Sequence, residues 1–485
     1  MAIAPPAAPA TMQASFARTA ACPCGSLKRY KHCCGKPVDD ATAKALRIAE
    51  TALHQAWLYR ESGDADKAAG QLACLDSDRL DSLLIARVAG ELYLEMHMLE
   101  PASRLLKRAL DLGDGNPFTA SAYADCRYLI DRLAAWQTAG CTIAATLDRI
   151  NARAATRGNT DPLHVHIVCK LDTIGGTERR ALNLYRSLSP RAQVTLWSTE
   201  PLMAQYRDEF PARQIGPTDA PTGGTLVLVG TYFACGNWLE TNTFDRVVVC
   251  HNMAEQNASL SERLRQIEAN PSRPRVDLTF PSRLFKETLG LPGQVEYSSV
   301  DLELFRRTRP MRTDRDRLTV GRHGRAHRLK FHPNDPAFFR TLIARGHQVR
   351  ILGGSMIASA FEHDRGTLPD LLDVGAEPGK DFLENLDVFV YRKHPGLFET
   401  GGTAITEAMA MELPVVIFPE LCGVAELIEH GRNGFLVHNE ADAIDVIERL
   451  AADPALRERV GRAARATIVE VMQAQEPAVT AYYLK

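Results

Sequence analysis

The sequence of 485 residues lacks three features that would place it in other classes of protein. No uninterrupted apolar run approaches the ~18 residues that a membrane-spanning helix needs. The formal net charge is -2, so no overall positive field attracts nucleic acid. The 11 cysteines are odd in number and form no paired framework, which favours a reducing compartment. We therefore expect a cytoplasmic protein without a nucleic-acid partner, and attachment at the inner membrane face stays open.

The length and the first residues predict several separate segments. A chain of this length exceeds what one hydrophobic core can organise. Its start, "MAIAPPAAPATMQASFARTAA", is rich in alanine and proline and lacks the basic n-region of a signal peptide. We expect residues 1–20 to be a disordered leader.

Four cysteines crowd into the segment "CPCGSLKRYKHCCG", namely Cys22, Cys24, Cys33 and Cys34. Two close thiolate pairs at the ends of one short loop suit tetrahedral zinc, and the metal would supply the folding energy that so small a segment lacks. The alternative is a reactive or disulfide-forming cluster. The segment resembles the SEC-C motif, best known from the tail of the SecA translocation motor. The resemblance implies a structural zinc knuckle over residues 21–37 that serves as a docking module.

Residues 41–155 lack strand alternation and predict helices. A weak repeat of 34 residues relates Leu58-Tyr59 to Leu92-Tyr93, Ala68 to Ala102 and Leu72 to Leu106. This period is that of tetratricopeptide helix pairs. The alternative is a plain helical linker domain. A tetratricopeptide-like domain would be a candidate docking site for a protein partner.

From residue 163 the pattern changes to apolar strands that alternate with helices. "LHVHIVCKL" and "TLVLVGTYF" belong to a first set, and "LTVGRHGR" and "LDVFVYR" belong to a second set. Such β-branched runs are typical of parallel strands buried on both faces. We expect two doubly wound α/β domains, residues 160–312 and 313–460, followed by a C-terminal helix over residues 461–485. Ligands of such sheets bind at the carboxyl ends of the strands.

The segment "HPGLFETGGTAITEAMAMELPVV" places Glu399 and Glu407 on either side of Gly401-Gly402, with seven residues between the two acids. The glycines allow a sharp turn, and Thr403 can cap the helix that follows. The start of that helix suits a phosphate, and carboxylates accept hydrogen bonds from vicinal hydroxyls. The arrangement predicts a nucleotide-sugar site. The alternative is that Glu407 faces solvent.

A basic loop follows the first strand of the second domain. The segment "VGRHGRAHRLK" contains Arg322, Arg325 and Lys330. Loops after parallel strands open at the edge where ligands bind, so these cations would neutralise a diphosphate leaving group. The alternative is a basic surface loop.

The motifs between residues 163 and 460 resemble those of glycosyltransferase family 4, whose members have the GT-B fold. Glu399 and Glu407 match its Glu-x7-Glu element, and "LPVV" and "NGFLV" follow where the family has them. Arg322 and Lys330 match its phosphate-binding pair. The resemblance implies two facing domains, an acceptor domain and a nucleotide-sugar donor domain.

The first domain carries two further motifs of this family. Gly175 and Gly176, in "GGTERRALNLYRSL", match its glycine loop. His251, in "VVVCHN", lies where many members have a histidine near the donor sugar. The alternative for His251 is a satisfied histidine in the core or at a strand end.

The resemblance implies retaining transfer from a nucleoside diphosphate sugar to an acceptor hydroxyl. Its implied roles are diphosphate binding by Arg322 and Lys330, ribose binding by Glu407, and sugar binding by Glu399 and His251. The acceptor would be a protein or a lipid-linked or polysaccharide glycan. No Asp-x-Asp motif lies at the end of a strand, so we expect no catalytic divalent metal.

Two departures from the family pattern leave the donor sugar open. Thr400 stands where many members have glycine, and Glu412 stands where glycine usually precedes "LPVV". An alternative function is that of a catalytically degenerate GT-B scaffold, which would bind partners through the SEC-C motif and the helical repeats. Another GT-B enzyme, such as a sugar-nucleotide epimerase, fits the Glu-x7-Glu element less well.

Overall fold

A computed structural model describes part of the chain. The described residues are 40–61, 64–75, 80–96, 98–154, 164–172, 175–203, 210–311 and 317–485, with the single residues 29, 77 and 207. The predicted leader and the four cysteines of the predicted zinc knuckle lie outside them. The chain forms two compact units, residues 1–132 and 133–485. Within the described ranges, no helix is both long and apolar enough to cross a bilayer.

The first unit is helical, as predicted. The helices are α1 (Asp40–Glu61), α2 (Ala65–Leu72), α3 (Leu83–Glu95), α4 (Leu99–Asp111) and α5 (Pro117–Ala152), of which α5 continues into the second unit. Helix α1 packs on α2 and α3 packs on α4, so the unit contains two helical hairpins. The repeated pairs Ala68 and Ala102, and Leu72 and Leu106, are all buried in one core. The tetratricopeptide-like interpretation stays a prediction.

A parallel sheet organises the first α/β domain. Its strands are β1 (His164–Cys169), β2 (Gln193–Ser198), β3 (Arg213–Gln214), β4 (Thr225–Val229), β5 (Arg246–Cys250), β6 (Arg275–Phe280) and β7 (Gln294–Val295). Among the described residues they lie in the order β3-β2-β1-β4-β5-β6-β7. The helices are α6 (Gly176–Leu188), α7 (Trp238–Thr241), α8 (Asn257–Ala269) and α9 (Arg283–Leu289), with a 3-10 turn at Ala254–Gln256. Strand β1 is central, and its Ile167 pairs with Leu196 on one side and Val227 on the other.

A second parallel sheet organises the second α/β domain. Its strands are β8 (Thr319–His323), β9 (Gln348–Leu352), β10 (Asp370–Leu372), β11 (Val388–Tyr391), β12 (Val415–Ile417) and β13 (Phe435–Leu436), in the order β10-β9-β8-β11-β12-β13. The helices are α10 (Asp335–Ala344), α11 (Gly379–Glu384), α12 (Thr403–Ala410) and α13 (Glu440–Ala452), with 3-10 turns at Arg328–Lys330, Gly354–Phe361 and Gly423–Leu427. The two sheets confirm the predicted fold class of two doubly wound α/β domains after a helical region.

Two long helices tie the second unit together. The second half of α5 packs on the first sheet, and the side-chain amide of Asn151 exchanges two hydrogen bonds of 2.9 Å with the backbone of Val276. Residues 133–152, which we predicted to lie within the helical domain, therefore belong to the second compact unit.

The C-terminal helix α14 (Pro454–Tyr483) packs against α12 of the second domain and then returns to the first. Tyr483 is buried in the first domain's core, where its hydroxyl donates a hydrogen bond of 2.7 Å to Glu296. That carboxylate also pairs with the buried Arg180 at 2.6 Å. The last turn of the chain thus completes the core of the first domain.

Candidate active site

The N-termini of two helices converge between the two α/β domains. Helix α6 begins after Gly175, and helix α12 begins after Gly402. A Cβ atom on Gly176 would lie 2.9 Å from the Thr403 hydroxyl, so the glycine allows this close approach. Both helices point the positive end of their dipole and several amide groups at the gap. The gap therefore has the electrostatics of an anion site.

Gly402, not Thr403, ends the turn that precedes α12. Gly402 has a φ of +58°, a left-handed conformation that favours glycine, and it occupies the N-cap position. No side chain makes a capping bond there, so the predicted capping role of Thr403 is wrong. Thr403 is instead the first residue of the helix, beside Gly176.

Glu399 lies at the centre of a polar cluster that follows β11. One of its carboxylate oxygens contacts both the Lys330 ammonium and the Tyr391 hydroxyl. The other accepts a hydrogen bond of 3.4 Å from the Gly402 amide. Burial opposes ionisation of Glu399, but the charge of Lys330 and the hydrogen bonds from Lys330 and Tyr391 outweigh it and lower the pKa. The site thus holds an ionised carboxylate at the start of α12.

The three cations of the predicted diphosphate site occupy different positions. Arg322 is buried in β8, where its guanidinium lies 4.5 Å from the centre of the Tyr391 ring and donates to the carbonyl of Arg392. Lys330 pairs with Glu399 at the edge of the sheet. The side chain of Arg325 is 56% exposed. The loop therefore places Lys330 and Arg325 at the edge of the sheet, whereas Arg322 packs against the ring of Tyr391.

Glu407 is buried in the first turns of α12, with a side chain that is 3% exposed. This burial excludes the alternative that Glu407 faces solvent. One of its oxygens forms an ion pair with Arg179 of the first domain, and the other lies 3.2 Å from Nε2 of His323. Burial and the nearby Arg179 and Arg322 lower the pKa of His323 to about 3, so this imidazole is neutral. The cation beside Glu407 is therefore Arg179.

The glycine loop of the first domain faces Arg325 of the second domain. A Cβ atom on Gly175 would clash with the Arg325 guanidinium and lie 2.6 Å from Glu178 Oε2. Glu178 is buried; its other oxygen accepts a hydrogen bond from the Tyr232 hydroxyl, and Arg325 lies 3.9 Å from Oε2. Glu178 and Arg179 therefore each face a residue of opposite charge across the domain boundary.

Thr400 joins the two α/β domains. Its hydroxyl donates a hydrogen bond to the backbone carbonyl of Asn252, in the loop after β5. A second link lies nearby, where the Glu426 carboxylate accepts hydrogen bonds of 2.9 and 3.2 Å from the first two amides of α9, those of Arg283 and Leu284. Glycine at position 400 would lack the hydroxyl and therefore this link between the domains.

His251 lies in the first domain, directly after β5. It is fully buried after β5, where its Nε2 lies 2.8 Å from Asn257 Oδ1. Its ring packs 5.2 Å from that of Phe285, which in turn packs 5.3 Å from Phe398. Burial lowers the pKa of His251 to about 4, so the ring is neutral at physiological pH.

Three site residues were missed from the sequence: Tyr391, Arg179 and Thr400. Tyr391 is the last residue of β11, and its position at the carboxyl end of a parallel strand could have identified it. Arg179 and Thr400 act across the domain boundary, and no local pattern marks their partners.

Two segments of the chain match models of known protein families. Residues 375–467, which include Tyr391, Glu399 and α12 but not Lys330, match the model of glycosyl transferases group 1. Residues 18–36, which include the four clustered cysteines, match the SEC-C motif. No curated protein matches the chain.

Three solved structures are similar to the chain over about two thirds of its length. Sucrose-phosphate synthase from Thermosynechococcus elongatus is 16% identical, covers 66% of this chain and 98% of its own, and gives a TM-score of 0.49. A glycosyltransferase from Rickettsia africae is 12% identical, covers 67% and 99%, and gives a TM-score of 0.48. The Anabaena protein Alr3699/HepE in complex with UDP and glucose is 15% identical, covers 66% and 100%, and gives a TM-score of 0.47. The family models are the more specific finding, and they match two segments of the chain, residues 375–467 and residues 18–36.

Proposed function

We propose that residues 164–485 form a retaining glycosyltransferase that moves a sugar from a nucleoside diphosphate sugar to an acceptor hydroxyl. The observation that carries the proposal is the Glu399 cluster. It places an ionised carboxylate, the ammonium of Lys330 and the N-terminus of α12 together, and the carboxylate and the helix lie within the segment that matches glycosyl transferases group 1. Hydroxyl groups of a sugar and oxygens of a phosphate are the ligands that such a set binds.

The donor would lie along the start of α12. Its diphosphate would occupy the gap between the N-termini of α6 and α12, within reach of Arg325 and Lys330. The amides at Gly401-Gly402 and Thr403 would bind phosphate oxygens, and the closely packed Gly175-Gly176 would allow the backbone of the first domain to approach them. Glu399 would accept hydrogen bonds from the sugar, and Glu407 would accept them from the ribose.

The reaction would break the bond between the anomeric carbon and the diphosphate oxygen and form a bond between that carbon and the acceptor oxygen. The proton of the acceptor hydroxyl would pass to the leaving diphosphate on the same face. The contribution of the protein would be to position the two substrates and to stabilise negative charge on the leaving group. Arg322 would act indirectly, because its guanidinium lies under Tyr391. His251 would contribute to the wall of the sugar site through the aromatic cluster of Phe285 and Phe398.

The N-terminal segments would recruit the acceptor or another protein. Zinc bound by Cys22, Cys24, Cys33 and Cys34 would be structural, since four thiolates close the coordination sphere. A zinc knuckle followed in the sequence by a helical-hairpin domain would favour a protein acceptor over a lipid-linked glycan. Deletion of residues 1–39 tests this point: transfer to a protein acceptor should fall, while hydrolysis of the donor should stay unchanged.

A thermal-shift screen against a panel of nucleoside diphosphate sugars tests the proposed function. One donor should raise the melting temperature of the wild-type chain through mass action. The Glu399→Ala variant should lose this shift and keep its fold. A correctly folded wild-type chain that binds no member of the panel would instead support the alternative of a degenerate scaffold.

A further inference from the structure

Arg179 of the first domain contacts Glu407, the carboxylate that would bind the ribose in the proposed function. Arg179 lies in the first turn of α6, and its guanidinium forms an ion pair with Glu407 in α12. Glu407 is almost fully buried, whereas the side chain of Arg179 is 39% exposed. Arg179 is therefore the partner that an incoming ligand would meet first, because Glu407 is covered.

The ribose and Arg179 would compete for the oxygens of Glu407. One of its oxygens contacts Arg179, and the other lies 3.2 Å from the neutral His323. Two vicinal hydroxyls of a ribose would need both carboxylate oxygens. Binding of a nucleotide would therefore displace the Arg179 guanidinium from Glu407.

The displaced guanidinium would remain close to the N-termini of α6 and α12. Arg179 follows the glycine loop by three residues, and Gly176 of that loop touches Thr403 at the start of α12. A guanidinium that leaves a buried carboxylate needs a new anion, and planar guanidinium groups match phosphate oxygens in geometry. The N-terminus of α6, which suits a diphosphate, therefore lies three residues before Arg179.

We propose that Arg179 is a donor-binding residue supplied by the first domain, which exchanges Glu407 for the donor's diphosphate when the ribose binds. The exchange makes the binding of the ribose and of the diphosphate depend on each other. It would also add a contact between the first domain and the donor, because α6 belongs to that domain. This proposal rests on the proposed function.

The exchange can be tested by measuring how tightly the full-length chain binds a nucleoside and the corresponding nucleoside diphosphate. The base of both probes is that of the best donor in the panel. For a uridine donor, for example, the probes are uridine and UDP. Isothermal titration would compare the wild type with Arg179→Ala. The control is Arg186→Ala, because Arg186 lies on the same helix with a similarly exposed side chain and pairs with Asp301 at 3.9 Å.

We expect Arg179→Ala to weaken the binding of the nucleoside diphosphate on the order of tenfold or more, because one charge-assisted contact is lost. The nucleoside should bind as well as before or better, since Glu407 has lost its competitor. Arg179→Lys should retain part of the affinity for the diphosphate, and Arg186→Ala should match the wild type. Far-ultraviolet circular dichroism of each variant would verify its fold.

Two outcomes overturn the exchange while the proposed function stands. An unchanged affinity of Arg179→Ala for the diphosphate would show that Arg179 does not contact it. A tighter diphosphate affinity would show that Arg179 only blocks the site. A wild-type chain that binds no member of the donor panel would overturn the proposed function, and this proposal with it.

Discussion

Lys330 and Glu399 form an ion pair that connects the basic loop after β8 to the turn before α12. Tyr391 donates a hydrogen bond to the same carboxylate oxygen, so the side chain of Glu399 is fixed from two sides. Pre-organised charge of this kind stabilises a transition state without costly rearrangement during the reaction. The pair is therefore the first target for mutation.

Replacement of Glu399 by glutamine should reduce sugar transfer on the order of a hundredfold, because the amide cannot neutralise Lys330 or accept the same hydrogen bonds from the donor sugar. The measurement is kcat/KM with the donor that the panel selects. Glu429→Gln is the matched control, since Glu429 is 63% exposed and pairs with Arg432 on the surface of the same domain. A folded Glu399→Gln variant with nearly full activity would exclude Glu399 from the site.

Removal of the Thr400 hydroxyl should loosen the contact between the two α/β domains. Thr400→Val keeps the shape of the side chain but loses the hydrogen bond to the Asn252 carbonyl, which should cost about 1 kcal/mol of unfolding free energy. Urea denaturation would measure the change. Thr288→Val is the control, since its hydroxyl bonds only to Leu284 within the same helix at 2.7 Å. Equal effects of the two substitutions would contradict a role of Thr400 between the domains.

Replacement of Glu412 by glycine should stabilise the protein. Glu412 has a φ of +59°, a left-handed conformation that is strained for residues other than glycine. Its carboxylate lies 4.0 Å from Arg465, at the limit of an ion pair, so little is lost on substitution. We expect Glu412→Gly to raise the unfolding free energy by about 1 kcal/mol, whereas Glu412→Ala should give no gain. A lower melting temperature for the glycine variant would contradict the strain.

Buried neutral histidines should make the protein sensitive to mild acid. Burial lowers the pKa of His251 to about 4 and that of His323 to about 3. The unfolded chain binds protons near pH 6.5 while the folded chain does not, so stability is complete above that pH and falls as the pH decreases toward 4. Each such histidine contributes roughly 3 kcal/mol to this loss.

Urea midpoints between pH 8 and pH 4.5 would measure this dependence. Glu399 adds to this loss of stability mainly below that window, because its pKa is lowered and its stabilisation is lost as the pH falls and the carboxylate protonates. Substitution of His251 by asparagine should reduce the slope between pH 6.5 and 4.5. A slope equal to that of the wild type would contradict a buried neutral His251.

The fold was predictable because its signals are local. The run at Val247, Val248 and Val249 is buried on both faces of β5, as the apolar sequence predicted for a parallel strand. The boundary of the helical region was less predictable. The periodicity of α5 does not change at residue 133, where the second compact unit begins, because the helix itself continues.

The candidate site was predictable in part. Glu399, Gly402 and Glu407 lie in one segment whose turn and helix are encoded by neighbouring residues. The ion pair between Arg179 and Glu407 joins residues 228 positions apart in the sequence, and it depends on how two domains meet. The position of Arg322 under Tyr391 likewise depends on the face of β8 from which its side chain projects. The alternation of polar and apolar residues cannot predict that face for a strand that is buried on both sides.

The most direct test of the central claim is the release of nucleoside diphosphate from the donor that the panel selects, measured with purified full-length protein and an acceptor extract. The proposed function predicts that the wild type releases nucleoside diphosphate in proportion to the glycosylated product, and that Glu399→Gln releases it on the order of a hundredfold more slowly while Glu429→Gln behaves as the wild type. Release at equal rates from the wild type and Glu399→Gln, or no release by a wild type that binds the donor, would contradict sugar transfer at this site.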